Sequence, residues 1–232
     1  MAGQTEKACA ICIDIHPYSR TSHIVNWLTE KGILSTLVKG AVRPKSQFLG
    51  QYDLNYTCDI IYYSTSKSDL HPLKECLPIK TRDYLRDNYK QLACASYFRA
   101  IVNRMCPYGE EARNWFDLLT NSLDNIDTSN YLQSLLKFDL KALKLSGILP
   151  DFRYPEENSE SALFSLEYGR FNAGGRSIRI SKPTANYLQR GANGEKNLNF
   201  LLEALRVIGV YYTFHVDLPP QLRRITIDMI SK

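Results

Sequence analysis

The chain has 232 residues, enough for one large or two small domains, and 44% of them are hydrophobic, which suffices for a buried core. No apolar run approaches the roughly 20 residues that a transmembrane helix requires, and the charged start at Glu6 and Lys7 is unlike a signal peptide, so we expect a cytoplasmic protein. The net charge of +5 divides into +2 in residues 1–80, −2 in 81–160 and +5 in 161–232, and basic ends suit a polyanionic partner.

In the first 80 residues, β-branched and aromatic residues alternate with polar ones, which predicts strands. The predicted strands cover residues 8–15, 22–29, 33–39, 54–63 and 70–76. Pro72 interrupts the last strand and predicts that it lies at an edge, because proline cannot donate to a ladder. Five short strands in so short a segment predict a small closed barrel, of which the OB-fold is the commonest form.

Beyond residue 80 the apolar spacing becomes three and four, which predicts helices. The first helix is expected from Thr81 to a stop at Pro107. Later helices are predicted at about 110–123, 132–146, 181–190, 197–212 and from 219 onward. Residues 150–180 contain several glycines and no clear period, so we expect an irregular loop there. The sequence predicts an α+β protein with a barrel domain over 1–80 and an all-helical domain over 81–232.

Six cysteines, at positions 9, 12, 58, 76, 94 and 106, raise the question of a metal or redox site. Cys9 and Cys12 form a C-x-x-C, but residues three apart in a strand face opposite sides, so their sulfurs should diverge. No second cysteine pair or histidine cluster completes a tetrahedral zinc site. We expect free thiols, mostly buried, with no metal and no other cofactor.

Signatures of known catalytic sites are missing from the sequence. It has no G-x-S-x-G, Walker loop, H-E-x-x-H or paired-carboxylate pattern, and none of its four histidines has metal-ligand spacing. This favours a binding protein over an enzyme.

A basic loop follows the third predicted strand and is the most informative short feature. Lys39, Arg43 and Lys45 lie within it, where they can neutralise phosphates, while Trp27 or the strand tyrosines can stack on unpaired bases. The alternative is a solvated loop with scattered charges.

A second basic set is interleaved with aromatic residues in the last third of the chain. Its members are Arg170, Arg176, Arg179, Lys182 and Arg190, with Tyr168, Phe171 and Tyr187 between them. An ordinary exposed face explains this set equally well.

Three runs occur in a recognisable order. Residues 25–32 end an apolar strand in Thr-Glu-Lys-Gly, residues 37–46 read Leu-Val-Lys-Gly-Ala-Val-Arg-Pro-Lys-Ser, and residues 136–152 carry Leu-Lys-Phe-Asp-Leu before Gly147 and Pro-Asp-Phe. In this order and spacing, over nearly its whole length, the chain resembles the RecO family of bacterial DNA repair and recombination mediators.

The resemblance implies an OB-fold followed by a helical domain, in a cytoplasmic protein associated with the nucleoid. It implies binding of single- and double-stranded DNA, annealing of complementary strands, and help in loading recombinase onto strands coated by single-strand-binding protein. The implied partners are RecR and the C-terminal tail of single-strand-binding protein. Many members carry four zinc-binding cysteines that residues 154–175 lack, so we expect a zinc-free variant.

These expectations assign residues to two kinds of contact. The predicted DNA-binding residues are Lys39, Arg43, Lys45, Arg176, Arg179 and Arg190. For the acidic, apolar tail, Lys137 beside a leucine-rich helix face is the predicted cation, with Arg113 as a second candidate if the second and third helices pack antiparallel. The alternative for Lys137 is a solvated side chain opposite the core.

Three other functions remain open from the residues. An RNA-binding OB module has the same charges and aromatic residues. An enzyme with an unrecognised site in residues 150–180 and a protein-interaction scaffold are the other two.

Overall fold

The computed structural model describes residues 4–66, 68–109, 111–156, 159–193, 197–216 and 218–231. The chain divides into two compact units, the first formed by residues 1–88 and 99–124 and the second by residues 89–98 and 125–232. None of the described helices is long and apolar enough to cross a membrane.

Five strands of the first unit hydrogen-bond in the order β1-β2-β3-β5-β4 and close into a barrel. They are β1 (Gln4–Ser19), β2 (Ser22–Thr29), β3 (Gly32–Val38), β4 (Thr57–Ser64) and β5 (Leu70–Lys80). All neighbouring strands are antiparallel except β3 and β5, which run parallel. The five predicted strands are present, although β1 begins four residues earlier and β5 ends four residues later than predicted.

The prediction that the fifth strand lies at an edge is wrong, because β5 lies between β3 and β4. Pro72 pairs with Leu37 at the last of three β3–β5 residue pairs, and the β4–β5 ladder ends at the next residue, Leu73. Pro72 therefore lies where β5 changes partner, next to an irregularity of the β4–β5 ladder, the kind of position at which proline is found within sheets.

Alternate residues of the strands form the barrel core, as the period of two requires. Cys12 and Trp27 face each other across β1 and β2, and both are fully buried. Phe48, from the connection between β3 and β4, joins the same core. Because full burial of a large apolar side chain contributes about 1.5–3 kcal/mol, the burial of most of Phe48 attaches this connection to the barrel.

A buried arginine joins helix α2 (Ala112–Asp124) to the barrel. The Arg82 Nε donates to Asp124 Oδ1 at 2.6 Å, and its Nη1 donates to the Asn55 carbonyl at 2.7 Å and to Thr57 Oγ1 at 2.9 Å. Burial alone would raise the pKa of Asp124, but hydrogen bonds from Lys80 and Arg82 hold it below its ordinary value. This cluster places α2 in the same unit as the barrel.

The first helix begins later than predicted. Arg82 adopts a left-handed conformation with φ of 52°, which interrupts any helix starting at Thr81, and only a short 3-10 helix (Asp83–Leu85) follows. Helix α1 (Tyr89–Met105) begins after it and ends before Pro107 as expected, contributing residues 89–98 to the second unit and the remainder to the first.

Four further helices lie within the described residues of the second unit. They are α3 (Tyr131–Leu145), α4 (Lys182–Gln189), α5 (Leu198–His215) and α6 (Pro220–Ser231). Side chains of Asn130, Ser181 and Asn197 accept backbone N–H groups at the starts of α3, α4 and α5. The predicted helix start at Ser181 is therefore confirmed.

The prediction of an all-helical second part with an irregular loop at 150–180 is wrong in part. This stretch forms a three-stranded antiparallel sheet, in the order β7-β6-β8, from β6 (Ser161–Ser165), β7 (Arg170–Phe171) and β8 (Ser177–Ser181). The strands have five, two and five residues. Segments so short hold too few alternations for a period of two to be recognised in the sequence.

A buried ion pair connects the helices of the second unit. Asp139 of α3 is fully buried, accepts a hydrogen bond from the Tyr97 hydroxyl at 2.8 Å, and is paired with Arg223 of α6. Burial raises the pKa of Asp139, whereas the Asp139 carboxylate raises the pKa of Arg223 in spite of its burial. Arg223 carries a positive charge because a guanidinium stays protonated in proteins. The Arg223 Nη2 also donates to the Leu205 carbonyl at 3.2 Å, which ties α6 to α5.

Candidate nucleic-acid interface

The connection between β3 and β4 begins with a series of tight turns that fix the basic loop, defined here as residues 39–47. Gly40 has a φ of 68° and its amide donates to Ser22 Oγ at 3.2 Å, while the Arg43 amide donates to the Gly40 carbonyl at 3.1 Å. A Cβ on residue 40 would lie 3.3 Å from Arg43 Cδ, so the Arg43 side chain folds back over the glycine. The glycine thus permits both the turn and the close approach of the guanidinium stem.

The far end of the basic loop is attached to the barrel at two points. The Gln47 side-chain amide donates to the Lys74 carbonyl of β5 at 3.0 Å, and the next residue, Phe48, is buried in the core. The loop therefore presents its charges from a fixed backbone.

The three cations predicted to bind DNA in the first unit come together. Lys39, Arg43 and Lys45 are exposed and line one open depression together with Ser46 and Gln47. None of the three forms an ion pair with another residue that the structure describes. Their charges are therefore available to an anion, and an oligonucleotide backbone meets this requirement.

The prediction that Trp27 stacks on bases is wrong. Its side chain is fully buried, and its indole N–H donates to Thr36 Oγ1 at 2.8 Å. Tyr56 and Tyr62 are also buried, while Tyr63 at the end of β4 is 40% exposed. Trp27 and Tyr56 fill the barrel core, so base stacking requires other aromatic side chains.

The second basic set is more dispersed. Arg176 and Arg179 are both exposed, the first just before β8 and the second within it. The Arg179 guanidinium donates to Ser161 Oγ at 3.3 Å, and Arg206 of α5 donates to the Arg179 carbonyl at 3.5 Å. Sequence reasoning missed Arg206, because it lies on a helix recognised only by its apolar spacing.

Arg190 lies at the end of α4, where it is exposed as the C-terminal cap residue. The opposite end of α4 is already occupied by a carboxylate, since Glu203 accepts from the Ser181 hydroxyl at 2.7 Å and from the Thr184 hydroxyl at 2.5 Å. Burial alone would raise the pKa of Glu203, but these hydrogen bonds keep it below its ordinary value. The start of α4 is thus unsuited to a phosphate, and any contact made by α4 depends on Arg190.

The two residues predicted to bind an acidic tail lie in different units. Arg113 projects from α2 with its Nη2 3.6 Å from a carboxylate oxygen of Glu30 on the barrel. Lys137 lies half-buried on α3 between two buried neighbours, Leu136 and Phe138, and has no ion-pair partner within the described ranges.

An apolar groove of about 340 Å³ separates α5 from α6. Leu205, Tyr212 and Ile227 contribute to its lining, and the exposed charged residues that border it are Arg206, Arg224 and Asp228. An apolar cleft with neighbouring cations is what an acidic peptide with a large terminal side chain requires. The sequence offers no signal for it, because the groove exists only where two helices meet.

The cysteines follow the strand geometry. Cys9 is exposed and Cys12 is buried, which confirms that the two side chains of the C-x-x-C point to opposite faces. All six cysteines are free, and Cys58 and Cys94 are also buried. Across the part of the chain that the structure describes, no three His, Cys, Asp or Glu side chains are grouped to hold a metal ion.

Comparisons with known families cover both units. A family model described as Recombination protein O N terminal matches residues 1–82, and one described as Recombination protein O C terminal matches residues 86–224. The chain belongs to the RecO family. The descriptions of the two family models refer to recombination.

Several similar curated proteins are named DNA repair protein RecO. That of Rhodopirellula baltica is 29% identical over 169 residues, which cover 69% of this chain and 63% of the relative. That of Idiomarina loihiensis is 28% identical over 139 residues, covering 59% and 58%. That of Shouchella clausii is 27% identical over 179 residues, covering 72% and 66%. The chain thus spans about three fifths of the length of the first two relatives.

Proposed function

We propose that this RecO-family protein binds single- and double-stranded DNA, anneals complementary strands, and helps load recombinase onto strands coated by single-strand-binding protein. The observation that carries the proposal is the convergence of Lys39, Arg43 and Lys45 on one depression of a small barrel. We assign this barrel as an OB-fold, a form that commonly binds oligonucleotides. Membership of a DNA repair family supports the same conclusion.

The two basic regions have distinct roles in this proposal. The basic loop tracks the phosphate backbone of a single strand, because three cations on a fixed backbone replace condensed counterions. Arg176, Arg179 and Arg190 provide a second contact, either to the same strand or to its complement. A protein that holds two strands lowers their mutual repulsion while leaving the bases free to pair.

Annealing of this kind requires no covalent step. We therefore propose that the protein works without a catalytic residue, a metal or another cofactor, in the cytoplasm and in association with the nucleoid. Base pairing supplies the free energy of annealing, and the protein contributes by neutralising charge.

Two protein partners belong to the proposal, RecR and the acidic C-terminal tail of single-strand-binding protein. For the tail, the groove between α5 and α6 competes with the site around Lys137. The groove offers an apolar lining and two exposed cations, Arg206 and Arg224, against one exposed carboxylate, Asp228. Lys137, by contrast, is half-buried beside side chains that already fill the core. We favour the groove, with the tail carboxylate near Arg224.

A strand-annealing assay tests the function directly. Two complementary labelled oligonucleotides are mixed with the purified protein, either bare or coated with single-strand-binding protein, and duplex formation is followed over time. We expect acceleration in both cases, with a salt dependence that follows DNA binding. A protein that accelerates neither reaction and binds no oligonucleotide at low salt would instead be a scaffold. Tighter binding of a matched RNA oligonucleotide would overturn the assignment to DNA.

A further inference from the structure

Two cysteines meet beneath the connection that carries the basic loop. The Cys58 Sγ of β4 lies 3.6 Å from the Gln51 carbonyl oxygen, and the Cys76 Sγ of β5 lies 3.5 Å from the same atom. In the β4–β5 ladder Cys58 pairs with Pro78 and Ile60 pairs with Cys76, so the two cysteines are diagonal neighbours on one face.

The two thiols differ in access to solvent. Cys58 is fully buried, whereas Cys76 is partly exposed and lines an open depression of about 440 Å³ together with Gln47 and Phe48. The proximity of the Cys76 sulfur and burial both raise the pKa of Cys58. A small oxidant therefore meets the Cys76 sulfur first, and Cys58 is placed to react with whatever forms there.

We propose that Cys58 and Cys76 are a reversible oxidation site, at which a peroxide converts two thiols into one disulfide. In the first step the Cys76 sulfur attacks a peroxide oxygen, the O–O bond breaks, and a sulfenic acid and one water form from hydrogen peroxide. In the second step the Cys58 sulfur attacks the Cys76 sulfur, the S–O bond breaks, and the departing hydroxide takes the Cys58 proton as a second water. A dithiol reductant restores both thiols by exchange.

Oxidation removes both S–H donors from the Gln51 carbonyl, since the two hydrogens leave with the water. The Gln51 amide donates to the Phe48 carbonyl at 3.1 Å, so Gln51 and the core residue Phe48 belong to one turn at the base of the basic loop. We expect this turn to loosen in the disulfide form. An effect of this loosening on DNA binding, unlike the disulfide itself, rests on the proposed function of the loop.

The modification is tested by peptide mapping of the full chain. The protein is treated with a near-equimolar amount of hydrogen peroxide, and the remaining thiols are alkylated. The masses of the tryptic peptides are then measured by mass spectrometry. Lys67 and Lys74 separate the two cysteines into different peptides. We expect a crosslinked pair lighter by two hydrogens, which dithiothreitol removes.

Two variants make the result specific. Cys9→Ser alters an exposed cysteine elsewhere on β1 and should leave the crosslink intact, whereas Cys76→Ser should abolish it. Cys76→Ser leaves the buried Cys58 in place, and thermal unfolding checks that it folds. The proposal is overturned if Cys76 oxidises to its sulfinic acid without a crosslink, or if Cys58 pairs with Cys12.

Titration of a labelled single-stranded oligonucleotide measures the consequence separately. The oxidised protein should bind roughly fivefold more weakly than the reduced protein, the loss expected for about one net hydrogen bond, and dithiothreitol should reverse it. Cys76→Ser should bind equally with and without peroxide. A crosslink with unchanged binding would uphold the oxidation site and reject its control of the loop, and absence of binding in the reduced protein would reject the proposed function alone.

Discussion

The two basic regions of this chain differ in how their charges are brought together. In the basic loop, Lys39, Arg43 and Lys45 lie within seven residues of sequence, and tight turns bring them to one depression. In the second unit, Arg176 and Arg190 are separated by a strand and a helix, and their placement depends on the packing of that unit. A local cluster of cations on a turn can therefore be predicted from the sequence, whereas the arrangement of a dispersed set depends on tertiary structure.

The largest effect is expected on the free energy of unfolding, from a substitution that disrupts the packing of the second unit. Asp139→Ala leaves Arg223 buried without its carboxylate, and losing one partner of such a pair costs about 3–5 kcal/mol. We expect a lowered free energy of unfolding in chemical denaturation, with loss of the helical signal of the second unit. Asp228→Ala, which removes an exposed carboxylate from α6, is the matched control and should change stability little. Equal stability of the two variants would show that the ion pair does not hold the unit together.

The partner site gives the next largest effect. Arg224→Glu should weaken binding of a tail peptide at least about tenfold, because a cation that meets a carboxylate is replaced by an anion. Lys137→Glu is the matched reversal on α3 and should have little effect if the groove is the site. Isothermal titration of the peptide against both variants decides between them, and the reverse pattern would return the site to α3.

A smaller effect is expected on the salt dependence of DNA binding when arginines of the second basic region are substituted. The combined change of Arg176 and Arg179 to alanine should lower the slope of log affinity against log salt by roughly 1.4 for single-stranded DNA, the value for two lost phosphate contacts. Arg190→Ala should lower it by less than about 0.7, because Arg190 lies at the far end of α4 from β8. An equal decrease in slope for each arginine removed would mean that the three arginines contact DNA as one surface.

The smallest effect concerns the pH dependence of the first unit. The pKa of Asp124 is lowered in the folded protein, so its contribution to stability is present above the unfolded pKa of about 3.9 and is lost as the pH falls through the folded value. We expect the wild type to lose stability below about pH 4. Asp124→Asn should lose less over the same range, as measured by thermal unfolding. The same loss of stability at low pH in both proteins would show that Asp124 does not contribute to it.

The accuracy of the sequence predictions follows the same division between local and tertiary determinants. The five strands and the cap at Ser181 have local signals, in a period of two and in side-chain capping, and both are confirmed. The three-stranded sheet in 161–181 was missed because its strands are too short to show a period. The burial of Trp27 depends on barrel closure, and the apolar groove depends on two helices meeting. Neither the burial of Trp27 nor the apolar groove has a signal in the local sequence.

The central claim, that the basic loop contacts the phosphate backbone, is tested most directly by the salt dependence of single-stranded DNA binding. The variant Arg43→Ala with Lys45→Ala is compared with Lys7→Ala with Arg113→Ala, which also removes two cations from the first unit, each one ion-paired with a barrel carboxylate. The account predicts that the slope of log affinity against log salt falls by roughly 1.4 in the loop variant and stays near the wild-type value in the control. A loop variant with the wild-type slope, or a control that falls equally, would contradict it.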